Sequence, residues 1–239
     1  MNRKVGLLLW LSAFFVASLL LGDVTGGKTI LTELGDISVG ILPFPITFLL
    51  TDIVNDFYGH KVARYLTLVG AGMATYACLV LNVAVALPTS PRTYLGAEEF
   101  ARVFGGSKQL FVASLLAFVI GQFLDIAIFR YWKRRTGDRY LWLRATGSTV
   151  VSQLVDTVVI NFVFWSWAAS ADPSSQIGQM SLATRYAWVW RKVALEYGIK
   201  LVVALGLTPL LYALHGIVRV RFGLRPAPLH GDVENLEQP

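Results

Sequence analysis

Apolar residues run along the chain in six long blocks, near residues 5–22, 37–55, 65–87, 109–130, 147–170 and 192–214. Each is long enough, or nearly so, to cross a hydrocarbon core of about 30 Å, which takes about 20 helical residues. Charged residues gather in the short segments between the blocks. The pattern predicts an all-α, polytopic membrane protein with six transmembrane helices over residues 1–222. Residues 223–239 are polar and proline-rich and read as a disordered tail. The second block carries Pro43 and Pro45, and two prolines so close break or unwind a helix. A break at membrane depth is tolerated only where protein or a cavity surrounds it. The first block follows Arg3 and Lys4, as a signal peptide would. Its end, Leu20-Leu21-Gly22-Asp23, offers no small-x-small cleavage site, so it reads as a retained helix. Asp172-Pro173 has the form of an N-cap and first helical residue, which predicts a small interfacial helix before the sixth span.

Composition sharpens this picture. Hydrophobic residues make up 55% of the 239 and charged residues 15%, against about 45–50% and 25% in soluble domains. The mean hydropathy is +0.57. A soluble globule of this size cannot hide that much apolar surface. The net charge of +6 could point to nucleic acid, but the positions of the charges argue against it. Arg3, Lys4, Lys61, Arg64, the group Arg130, Lys133, Arg134, Arg135, Arg139 and Arg144, and Arg219, Arg221 and Arg225 all fall on the side that would hold both termini. The opposite side has fewer: Lys28, Arg92, Arg102, Lys108, Arg185, Arg191 and Lys192. The positive-inside rule then puts both termini in the cytoplasm. The single cysteine, Cys78, lies in an apolar block and reads as a small core residue.

Enzyme readings find little support. His60, His215 and His230 form neither HExxH nor a Cys/His metal spacing, and no GxxxxGK[ST] or GxSxG occurs. No metal or cofactor is expected. Asp125 and Asp156 could supply the two acids of an intramembrane aspartyl protease, but neither sits in the Tyr-Asp or Gly-x-Gly-Asp context of that class. His60 and His215, at span ends, read as interfacial residues.

Ionisable and amide residues inside spans carry the functional signal, because each is costly there. The second span ends Thr51-Asp52-Ile53-Val54-Asn55-Asp56, with Asp52 and Asn55 on one helix face. Gln-x-x-Asp occurs at Gln122/Asp125 and again at Gln153/Asp156. Asn161 follows on the fifth span, and Glu196 and Lys200 lie four apart on the sixth, the spacing of an ion pair. Polar residues of this kind also hold bundles together, at about 0.6 kcal/mol each. A central carboxylate costs at least about 2.5 kcal/mol by insertion scales, so Asp125 and Asp156 call for a use. Depth counting puts Asp52, Asp125 and Asp156 in one half of the bilayer, where they would converge with Gln122 and Gln153. Asp56 reads as solvated at the interface. An apolar cavity lined by such groups suits a planar ligand rich in hydrogen bonds. A guanine-type edge offers two adjacent donors to a carboxylate, and an amide meets its carbonyl. Phe44, Phe48, Phe123 or Trp165 could stack on the ring.

These residues carry a family resemblance. Pro43 to Gly59, reading PFPITFLLTDIVNDFYG, resembles the FPxTFLxTDxxxExYG signature of queuosine precursor transporters, a vitamin-uptake-type family of small bacterial membrane proteins. Gly121 to Asp125 resembles its GQxxD motif. Ser148-Thr149 with Ser152 to Thr157 resembles its STxxSQxxDT motif, and Glu196-Tyr197 with Lys200 its [ED]YxxK segment. The similarity runs from about residue 5 to 215, with Asp56 where Glu is common. The resemblance implies uptake of 7-deazaguanine bases (7-cyano-7-deazaguanine, 7-aminomethyl-7-deazaguanine or queuine) for queuosine modification of tRNA. It also implies a fold akin to the substrate-binding subunits of energy-coupling-factor vitamin transporters. On this reading the substrate-binding residues are Phe48, Asp52, Asn55, Gln122, Asp125, Gln153, Asp156, Glu196 and Lys200. The partners are the base, the bilayer and a second copy in a homodimer. A rival reading is a binding subunit that needs a separate energising complex.

Overall fold

The computed structural model describes residues 3–26, 28–33, 35–90, 92–104, 108–137 and 139–227. The chain is helical nearly throughout: α1 (Arg3–Gly26), α2 (Phe44–Tyr58), α3 (His60–Ala86), α4 (Ala97–Phe104), α5 (Lys108–Thr136), α6 (Leu141–Ala171) and α7 (Leu182–Phe222). Six of these, counting α2 with the turn before it, are long and apolar enough to cross a membrane, and the short α4 is not among them. The expected all-α architecture of six spans is therefore present. Chain direction alternates from span to span. One end of the bundle holds the start of α1, the α2–α3 and α5–α6 junctions and the end of α7; it is called the basic end below. The other end holds the α3–α5 connection and a feature the apolar pattern did not predict, an antiparallel hairpin.

That hairpin pairs β1 (Thr29–Thr32) with β2 (Gly35–Ser38), Ile30 opposite Ile37. A one-turn 3₁₀ segment, Val39–Ile41, follows it. The Ser38 hydroxyl donates to the Gly26 carbonyl at 2.7 Å and accepts from the Gly40 N–H, fastening the hairpin to the end of α1. α2 begins only after this turn. Pro43 stands at its N-cap and Pro45 inside the first turn, where a missing N–H costs nothing. The two prolines thus start a helix at membrane depth rather than kink one.

The helices outrun their apolar blocks. α5 continues through Lys133, Arg134 and Arg135 in its last turn, where cations meet the negative end of the helix dipole. α7 extends over 41 residues and carries Pro209 inside it. The expected helix after Asp172-Pro173 does not form; residues 173–180 make turns, and Asp172 instead ends α6. Its carboxylate accepts from the Ser174 hydroxyl and N–H, which hold it below the usual aspartate value. That is the bond an N-cap side chain makes, but no helix follows it.

α2 is the central element. Every residue from Thr47 to Tyr58 is buried, and α1, α3, α5, α6 and α7 pack around it. Ile53, Val54 and Phe57 meet Phe15, Leu19, Ile126 and Phe129 in the core. Gly59, at φ 87°, turns the chain from α2 into α3 in a region that suits glycine. Outward positions such as Trp10, Leu79 and Val202 stay exposed, as a lipid-facing surface requires. Residues 228–239 of the expected tail lie outside the described residues. Ahead of them, Leu224 and Ala227 are buried, and the Ala227 N–H donates to the Asp56 carbonyl at 2.7 Å.

Candidate functional site

The two Gln-x-x-Asp segments face each other across the α5–α6 contact. A Cβ on Gly121 would lie 3.2 Å from Asp156 Cβ, so this glycine permits the close approach of the two helices. One turn along, the Ser152 hydroxyl donates to Asp125 Oδ1 at 2.9 Å. Ser148 and Thr149 lie beside the same carboxyl group. α2 brings Asp52 to it: the Asp52 and Asp125 carboxyls are within hydrogen-bonding reach of each other. Asp52 Oδ1, Asp125 Oδ2 and both polar atoms of the Gln122 amide are buried with no hydrogen-bond donor or acceptor from the described residues.

The expected convergence of three aspartates at one level does not occur. Asp156 sits a turn further from the basic end, where Lys200 Nζ meets its Oδ2 at 2.7 Å and the Thr157 hydroxyl at 3.2 Å. Lys200 therefore pairs across helices and not with Glu196 on its own helix. Glu196 takes a different partner, accepting from Asn161 Nδ2 at 2.7 Å. Asn161 Oδ1 in turn accepts from the Trp165 indole at 3.2 Å, and Tyr197 donates to the Val150 carbonyl at 3.0 Å. A buried cation and carboxylate find better geometry on neighbouring helices, where each also gains a further hydrogen bond.

Two cavities follow this polar line. The larger, about 390 Å³, occupies the hairpin half of the bundle. Its walls include Asp23, Phe44, Gln153, Asn161, Trp165 and Glu196, with Lys200 at its inner limit. That volume lies within the range of small-molecule sites, roughly 300–1,000 Å³. A second space of about 40 Å³ lies deeper, against Phe48, Asp52, Thr149, Gln153 and Lys200. Pro45, Gln153 and Lys200 line both. Of the residues singled out in the sequence, Phe48, Asp52, Gln153, Glu196 and Lys200 thus reach a cavity. Asn55, Gln122, Asp125 and Asp156 line neither. Asn55 donates to the Ile126 carbonyl at 3.4 Å, and Gln122 and Asp125 are fully enclosed. Phe44 and Trp165 face the large cavity; Phe123 lines neither.

Asp56 overturns its reading as an interfacial residue. Its side chain is 1% exposed and bonds Lys133 Nζ at 2.7 Å, His215 Nε2 at 3.0 Å and Arg144 Nη2 at 3.3 Å. Lys133 also donates to the Asp56 carbonyl at 2.9 Å. Arg144 is itself buried and donates to the Gly137 carbonyl at 2.7 Å. Three residues counted as loop charges or interfacial histidine therefore close the basic end of the bundle from within. His60, also read as interfacial, is buried and lies 2.7 Å from Arg130 Nη1.

Two contributors lay outside the expected site residues. Asp23, at the end of α1, lines the large cavity and accepts from the Ser114 hydroxyl at 3.1 Å. Ser152 holds Asp125. Asp23 looked like a residue past the end of a span, and only the extension of α1 to Gly26 brings it inside. Among the described residues no cluster of His, Cys, Asp and Glu has the form of a metal site.

Comparison with known proteins gives a consistent picture. A family model described as "Putative vitamin uptake transporter" matches residues 38–214. A "Probable queuosine precursor transporter" of Bacillus subtilis (strain 168) is 31% identical over 172 residues, covering 71% of this chain and 72% of that relative. A protein of the same description from Haemophilus influenzae is 27% identical over 186 residues, covering 72% and 74%. The "Queuosine precursor transporter" of Escherichia coli (strain K12) is 29% identical over 134 residues, covering 53% and 54%. No solved structure matches the chain.

Proposed function

The chain belongs to the vitamin uptake transporter family, and from that membership we propose that it carries a queuosine precursor, a 7-deazaguanine base, across the bacterial cytoplasmic membrane. The observation that carries the proposal is the 390 Å³ cavity, bounded by spanning helices together with the hairpin and α4 and lined by both aromatic and hydrogen-bonding groups. Phe44 and Trp165 offer faces for the ring. Glu196, held by Asn161, accepts from the adjacent N1–H and exocyclic amine of a guanine-type edge. Gln153 and Lys200 line the same cavity and can donate to O6. Asp125 and Asp156, first choices from sequence, support the site from behind: one binds Ser152 and Asp52, the other fixes Lys200.

With both termini in the cytoplasm, the cavity is in the outer half and the Asp56 cluster closes the inner end. Uptake then requires that cluster to part while the hairpin half closes. A homodimer suits so small a carrier. The specific base (7-cyano-, 7-aminomethyl-7-deazaguanine or queuine) is set by whatever meets its 7-substituent, and Asp23 is placed to do so.

The test uses cells that cannot make the base and lack their own carrier. Expressing this chain and supplying nanomolar base should restore queuosine in tRNA. Absence of restoration, with the protein present in the membrane, would contradict the proposal.

A further inference from the structure

Asp52 and Asp125 meet between α2 and α5 in a way that two carboxylates cannot. Both are acceptors only when ionised, yet the two carboxyls lie within hydrogen-bonding reach. Asp52 Oδ1 and Asp125 Oδ2 find no donor among the described residues. A proton on one of them turns the contact into a hydrogen bond, as in other carboxylate pairs that share one proton.

The charges around the pair agree. From α2 comes Asp56, from α5 Lys133, from α6 Arg144, and from α7 His215 at Asp56 and Lys200 at the edge of the same small cavity. Lys200 is matched by Asp156. From α3 comes His60, bonded to Arg130 of α5. Lys133, Arg144 and His215 all engage Asp56. Two adjacent carboxylates at membrane depth repel each other, and one proton between them removes that cost.

The pair is also reachable. Asp52 borders the 40 Å³ space, enough for a water molecule, which takes about 30 Å³ in the liquid. Gln153 and Lys200 border both that space and the large cavity. We propose that Asp52 and Asp125 hold one exchangeable proton between them and that its binding and release are coupled to passage of the base. The coupling half rests on the transport reading above; the shared proton does not. The step is an acid–base exchange only: a proton arrives from water in the small cavity on one side and leaves to water on the other.

Two readouts test the two halves separately. Infrared spectra of the purified protein at neutral pH should show the carbonyl stretch of a protonated carboxylic acid. It should disappear in Asp52→Asn and in Asp125→Asn and persist in His215→Gln. A spectrum in which neither aspartate variant removes such a band overturns the shared proton. In proteoliposomes loaded with buffer, a gradient of one pH unit, acid on the side of the base, should drive about tenfold accumulation at one proton per base. Asp125→Asn should still exchange labelled for unlabelled base yet accumulate none. Accumulation indifferent to the pH gradient, accumulation driven by sodium instead, accumulation by Asp125→Asn equal to the unaltered protein, or loss of exchange as well would each overturn the coupling.

Discussion

The two ends of the bundle are built from the same kinds of residue and put them to different uses. At the basic end Asp56 is surrounded: three cationic or titratable side chains and the Ala227 N–H converge on one residue. In the hairpin half Asp23 and Glu196 each hold one side-chain partner among the described residues and border open volume. Saturation makes a polar cluster part of the architecture, because removing any member strands the others in a low-dielectric interior. Incomplete satisfaction beside a cavity leaves bonding capacity for a ligand. The contrast separates structural from functional polar residues better than residue type or depth does.

The largest effect should come from breaking the saturated end. Asp56→Ala leaves the buried Lys133 without its counter-ion, which typically costs about 3–5 kcal/mol. Thermal unfolding in detergent should show a large fall in midpoint, or the protein should fail to accumulate in the membrane. Unchanged stability would mean that the cluster does not hold the four helices together. Gly121→Ala should come next, at about 1–3 kcal/mol, the usual cost of overpacking, since the new Cβ would sit 3.2 Å from Asp156 Cβ. The same unfolding measurement checks it, and a full-strength variant would contradict the close α5–α6 approach.

Changes in the hairpin half should invert the pattern, leaving stability and removing binding. Trp165→Ala should weaken binding of the base by about 1–3 kcal/mol, the worth of one aromatic stacking contact with a base. That corresponds to a loss of roughly 5- to 150-fold in affinity, with little change in unfolding. The smallest effect belongs to neither end. Glu98→Ala removes an exposed ion pair with Arg102 on α4, 3.4 Å long. Exposed pairs are worth about 0.2–1 kcal/mol, so stability and uptake should hardly move.

The fold was legible in the apolar blocks because lipid permits so few backbone solutions. The start of α2 was not legible: Pro43 and Pro45 read as a break within the second block, whereas they begin the helix, because a proline's missing N–H is harmless only in the first turn. The hairpin at residues 29–38 was not legible: two four-residue strands carry too little alternation to distinguish them from a loop. The site was legible in part. Gln153, Glu196 and Lys200 announced themselves as polar residues in apolar blocks, and the cavity collects them. Their pairing did not follow from spacing, because Lys200 had a helical neighbour at i−4 and a better partner across the bundle. Asp56, Lys133, Arg144 and His215 misled for one shared reason. All lie near the ends of apolar blocks, and a hydropathy profile cannot tell a charge that snorkels outward from one that turns in beneath a neighbouring helix.

The central claim is that the hairpin-half cavity takes the base. Binding of labelled 7-aminomethyl-7-deazaguanine to the purified protein, compared with Gln153→Ala and Trp165→Ala, tests it most directly. The account predicts saturable binding by the unaltered chain and a loss of about fivefold or more in each variant, with unfolding temperatures preserved. Equal binding by all three proteins would place the substrate elsewhere in the bundle and contradict the account.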